Sequence, residues 1–94
     1  MTALDWQREH LQRLAAALTD RELAAHLDTR GSEPLLKVEN PAQAALNERV
    51  LCRQADDGTW CYWWPWRQPI GSVDDLEAVA GKILAVLRTV EGVS

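Results

Sequence analysis

Asp56-Asp57-Gly58-Thr59-Trp60-Cys61-Tyr62-Trp63-Trp64-Pro65-Trp66 is the stretch whose reading decides the fold. Its last seven residues hold four of the five tryptophans and the only tyrosine of a 94-residue chain that has no phenylalanine. The Asp-Gly step between two strand-like runs is a strong hairpin signal. Upstream, Leu46 to Arg53 alternates with period two: Leu46, Val50 and Cys52 fall on one side, and Arg49, Leu51 and Arg53 on the other. The two runs are expected to pair antiparallel. Pro65 cannot donate a ladder hydrogen bond, so the aromatic strand is expected either at a sheet edge or ending near residue 64.

Side chains alternate along a strand, so a slip of one residue exchanges the faces of the hairpin. A three-residue loop, Asp56-Asp57-Gly58 with Gly58 left-handed, sets Val50 opposite Trp64, Cys52 opposite Tyr62 and Gln54 opposite Trp60. It leaves Arg49, Leu51, Arg53, Cys61 and Trp63 on the outer face. A two-residue loop, Asp57-Gly58, would place Cys61 and Trp63 inside and turn Trp60, Tyr62, Trp64 and Trp66 outward beside Arg49 and Arg53. The first register buries more ring surface and matches large side chains against small ones. It also forbids a Cys52–Cys61 disulfide, which the second register makes conceivable.

Outward from the hairpin, Leu4, Leu11, Leu14, Ala15 and Leu18 form a helical stripe, with Asp5 and Glu9 near its start where negative charge suits the helix dipole. Leu23 and Leu27 point to nearly the opposite side. Thr19-Asp20-Arg21-Glu22 has capping-box spacing, so either a kink or restart at Thr19 or one continuous helix is expected, ending at Gly31. Leu35-Leu36-Lys37-Val38-Glu39 reads as a strand with Leu36 and Val38 inward. Asn40-Pro41-Ala42-Gln43 reads as a cap and one helical turn over Pro41 to Ala45. Pro69 and Gly71 break the chain after the aromatic run. Ser72 then caps a last helix, whose stripe is Leu76, Val79, Ala80, Ile83, Leu87 and Val90 and which runs to about Thr89. The expectation is a single α+β domain over residues 1–94. Its order is α-β-β-β-α, a three-stranded antiparallel meander with two helices packed on one face.

The formal charge of −4 argues against a partner held mainly through phosphates. Eight of the ten basic residues are arginine, which pairs with carboxylates and stacks on rings. Met1 to Trp6 shows no basic segment followed by an apolar core, and no apolar run nears the ~20 residues that span a bilayer. A cytoplasmic protein with reduced cysteines and no membrane partner is expected. His10, His26, Cys52 and Cys61 lack the spacing of a zinc site, with both histidines expected on helix surfaces. No cysteine–histidine adjacency suggests nucleophilic catalysis. Asp56-Asp57 and Asp74-Asp75 are explained by a turn and a helix start. No catalytic residue, metal or cofactor is implied.

Alternation leaves some ring surface outside in either register. The candidate interaction residues are therefore Trp60, Trp63, Trp64, Trp66, Arg49, Leu51, Arg53 and Arg67. Tryptophan and arginine are enriched in binding hot spots, and self-association is the simplest use of such a patch. The expected role is a non-enzymatic interaction module that forms a homodimer. Stacking of a sugar or planar anionic ring on tryptophan is the alternative.

The order α-β-β-β-α resembles the double-stranded-RNA-binding domain in topology. That family carries a basic cluster at the start of its last helix, where this chain has Asp74, Asp75 and Glu77, with Lys82 the single lysine of the helix. Acid there repels phosphate. A second resemblance covers most of the chain: the leucine- and alanine-rich first helix, Val38-Glu39-Asn40-Pro41, Val50-Leu51-Cys52, Trp60 to Trp66 and Pro69-Ile70-Gly71 are similar to small proteins of high-GC actinobacteria, some of which accompany helix-turn-helix regulators. It implies a regulatory accessory role beside a regulatory protein partner, and no site residues.

Overall fold

The computed structural model describes residues 2–87. Over the described residues the chain is α+β, with two helices and a five-stranded antiparallel sheet. The elements are α1 (Ala3–Thr19), β1 (Ala24–Asp28), β2 (Leu35–Asn40), β3 (Gln43–Gln54), β4 (Trp60–Trp63), β5 (Pro69–Ser72) and α2 (Leu76–Leu87), and the strands follow one another in sheet order.

Helix α1 begins with a capping box. Thr2 Oγ1 accepts from the Asp5 N–H at 3.2 Å, and the Asp5 carboxylate accepts from the Thr2 N–H at 3.1 Å. Those bonds hold the Asp5 carboxyl below its usual range, the Thr2 backbone bond being the largest cause. Its inward stripe is Gln7, His10, Leu11, Leu14, Ala17 and Leu18. The helix does not continue to Gly31. Glu22 adopts φ 65°, the Leu23 N–H reaches back to the Leu18 carbonyl at 3.1 Å, and the Glu22 N–H reaches the Thr19 carbonyl at 3.0 Å. These are the two bonds of a Schellman ending, with Leu18 and Leu23 supplying its buried apolar contact. The chain reverses, and Ala24–Asp28 becomes the edge strand β1 where the periodicity had suggested helix.

Helix is likewise absent at Pro41. Asn40 Oδ1 accepts from the Ala42 N–H at 2.9 Å, an Asx turn, and Asn40 pairs with Gln43 across a tight β2–β3 reversal. The Asn40 amide also donates to the Leu87 carbonyl at 2.8 Å, so the residue that looked like an N-cap satisfies the far end of α2.

The β3–β4 hairpin has the first of the two registers: Cys52 pairs with Tyr62 and Gln54 with Trp60. Asp56-Asp57-Gly58 is the loop, closed by the Ala55 N–H to the Thr59 carbonyl at 2.7 Å, with Gly58 at φ 86°. Strand β4 ends at Trp63, before Pro65, and is not an edge. The edge is β5, although it contains Pro69 and Gly71. Pro69 sits at its first position, where the missing N–H costs no ladder bond. Gly71 is required by a close approach, since a Cβ there would stand 2.9 Å from Val79 Cγ2 of α2. Ser72 therefore closes β5 instead of capping α2. Its Oγ accepts from the Asp74 N–H at 3.1 Å, and α2 starts at Leu76 with the Val79 N–H bonded to the Asp75 carbonyl. Val90 and Thr89, expected in this helix, lie outside the described residues.

Both helices cover the same sheet face. Leu11, Leu14 and Leu18 of α1 and Val79, Ile83 and Leu87 of α2 share one core with Leu36, Val38, Val50, Cys52 and Tyr62. Glu22→Gly should raise stability by about 1 kcal/mol in urea unfolding, because glycine removes the left-handed strain and keeps the Schellman bonds; a loss of stability would contradict this helix ending.

Candidate functional site

The hairpin register sorts the candidate residues. Tyr62 and Trp64 point into the core, Trp64 only 6% exposed. Trp60 is half-buried and packs against the core from beneath α1. Trp63, Leu51, Arg49 and Arg53 belong to the opposite face, which no helix covers among the described residues. Trp66 lies beyond β4 at 55% exposure, its ring stacked on Trp64 at 5.2 Å, and its indole N–H donates to Gln68 Oε1.

Strand β3 divides the bare face in two, because its Asn47–Val50 portion pairs with β2 and its Leu51–Gln54 portion with β4. On the β1–β2 side, His26 is directly opposite Lys37 and Lys37 directly opposite Arg49. None of the three forms an ion pair among the described residues. Lys37 and Arg49 are like charges opposed across strands, an arrangement that destabilises a sheet, although the Asp28 carboxylate acts on Lys37 from the same edge. On the β4 side, Arg53, Gln54, Trp63, Trp64 and Arg67 line a recess of about 280 Å³. The Trp63 indole N–H donates to the Arg53 carbonyl at 3.1 Å. Arg53 is bound by Glu33, its Nε donating at 3.1 Å, and that pairing raises its pKa. Arg67, at φ 66° in the β4–β5 turn, forms no ion pair among the described residues. The recess thus gathers Trp63, Trp64, Arg53 and Arg67; Arg49, Leu51, Trp60 and Trp66 do not line it.

Buried polar bonds hold this frame. Gln7 donates to the Cys52 carbonyl at 2.9 Å and to Glu33 at 3.3 Å, while the Tyr62 hydroxyl donates to the His10 carbonyl at 2.5 Å. Arg21 pairs with Glu77, and Lys82 donates to the Ile70 carbonyl at 2.8 Å, fixing α2 to α1 and β5. Cys52 and Cys61 are free and face opposite sides of the sheet. Burial pushes the Cys52 thiol up to about 12 and also raises Cys61, so neither is a thiolate at neutral pH. Among the described residues, no group of three or more His, Cys, Asp or Glu could hold a metal ion, and no helix is long and apolar enough to cross a membrane.

His10 and His26 are not helix-surface residues. His26 lies on β1, and His10 is 8% exposed and in contact with two indoles, Trp6 and Trp60, each ring centroid 5.8 Å from its own. The i, i+4 spacing of Trp6 and His10 puts both on one helix face. The chain matches no family model, no curated protein and no solved structure.

Burial lowers the His10 pKa from 6.5, and Arg13 adds to the shift, while the charges of Glu9 and Asp74 oppose it. The unfolded chain therefore takes up a proton that folded His10 resists, and stability is present above about pH 6.5 and lost as pH falls below it. Urea unfolding should show this loss in the wild type and a smaller one in His10→Gln. An unchanged pH slope would mean that His10 titrates freely.

Proposed function

We propose that the chain is a small, non-enzymatic interaction module that forms a homodimer through the bare face of its sheet and serves beside a regulatory protein partner. The observation that carries this reading is the strip His26-Lys37-Arg49, in which two cations oppose one another, next to the half-buried Leu51 and Trp63 on a face that no helix covers among the described residues. An isolated fold gains nothing from opposing two cations, Lys37 and Arg49, whereas arginine stacks well on indole. A two-fold axis over this face lets Arg49 of one copy lie on Trp63 of the other, twice, with Leu51 between them. Sedimentation at micromolar concentration should give a dimer, with Arg49→Glu weakening association by at least about tenfold while the fold itself is not destabilised, since Glu opposite Lys37 relieves a like-charge pair. A wild-type monomer would contradict the reading.

A second reading rests on the recess between Arg53 and Arg67, where an uncommitted guanidinium stands beside the Trp63 ring. It suits a planar anionic ligand, stacked on the indole and held by Arg67. A naphthalene sulfonate should quench tryptophan emission saturably, about tenfold more weakly in Arg67→Ala; absence of saturable quenching would remove this reading.

A further inference from the structure

The helix-covered side of the protein carries a separate recess that neither reading uses. Trp6, His10, Gly58, Thr59, Trp60, Val73 and Asp74 line about 460 Å³ between α1, the hairpin loop and the segment leading into α2. Trp6 lies nearly parallel to His10, with 20° between the rings, and Trp60 is tilted 43° to His10. Trp6 is 40% exposed, an unusual position for a ring whose stacking partner is almost wholly buried. The faces of indole rings are negative and attract cations.

The one acidic residue that lines the recess is Asp74, and among the described residues no lysine or arginine lines it. The Asp74 carboxylate forms no ion pair among the described residues, since only the backbone N–H of Asp74 is engaged, by Ser72 Oγ. Asp57, next to Gly58, has its carboxylate against the N–H of Thr59, a residue of the recess, at 2.9 Å. Arg13, whose charge reaches His10, is paired with Glu9 at 3.5 Å. An anionic or neutral ligand would leave the Asp74 carboxylate without a partner, while a cation satisfies both the carboxylate and the rings.

We propose that this recess binds a small organic cation of the alkylammonium class, its charged head held between the Trp6 and Trp60 indoles and the Asp74 carboxylate. The site stands apart from the sheet face and does not depend on dimerisation. The probe is choline, compared with its neutral isostere in which carbon replaces the quaternary nitrogen, and the readout is the indole N–H resonances of the full chain. Choline should shift the Trp6 and Trp60 signals saturably and leave Trp63 unmoved, and the isostere should bind roughly tenfold more weakly. Asp74→Asn and Trp6→Ala, both at exposed positions, should each weaken choline about tenfold. The proposal is overturned by the absence of saturable shifts, by equal binding of the neutral isostere, or by an undiminished affinity in Asp74→Asn.

Discussion

Gly58 at φ 86°, in a three-residue loop closed between Ala55 and Thr59, is the constraint on which the rest of the structure depends. A two-residue type I′ loop would need Asp57 as well as Gly58 at positive φ; only Gly58 is left-handed, which glycine tolerates, so the loop takes three residues rather than two, and Cys52 meets Tyr62. The tyrosine then faces the helices, and its hydroxyl reaches the His10 carbonyl at 2.5 Å. That one bond ties β4 to the middle of α1. Small Val50 and Cys52 next to large Tyr62 and Trp64 fill the space beneath the helices without leaving a hole. A one-residue slip would bury Trp63 and Cys61 instead and leave the His10 carbonyl without its donor.

The same parity creates both candidate sites. Odd positions of β3 and β4 put Arg49, Leu51, Arg53 and Trp63 on the bare face. Even positions bring Trp60 under α1, where it meets His10 and, through it, Trp6. An aromatic cluster that is continuous in sequence is thus divided in space between a core, an open sheet face and a recess. The hairpin loop contributes Gly58 and Thr59 to that recess, so its geometry sets the register and also shapes a wall of the site.

Much of this was legible in the sequence. The period-two run from Leu46 to Arg53, the Asp-Gly step and the stripe from Leu76 to Leu87 each state their element, and Leu36 and Val38 face inward as their alternation implies. The two missed strands were hidden by residues that usually mean something else. At the end of α1 the left-handed position is filled by Glu22, where glycine or asparagine would have announced the stop, so β1 read as more helix. Pro69 and Gly71 read as breakers, but an edge strand can begin with proline, and the contact of α2 with the sheet leaves no room for a Cβ at Gly71. Asn40-Pro41 served a turn and the end of α2 rather than the start of a helix. Of the candidate residues, Arg53, Arg67, Trp63 and Trp64 line one recess, and Arg49, Leu51, Trp60 and Trp66 do not. The Trp6–His10–Trp60 cluster joins segments some fifty residues apart and depends on how α1 lies over the hairpin, which local pattern does not encode.

The hairpin register is tested most directly by hydroxyl-radical footprinting of the native protein, with oxidation read at each aromatic residue by mass spectrometry. Tyr62 and Trp64 should be protected while Trp63 and Trp66 are oxidised. Rapid oxidation of Tyr62 and Trp64 with Trp63 protected would mean the slipped register, and with it a different core, a different bare face and no recess at His10.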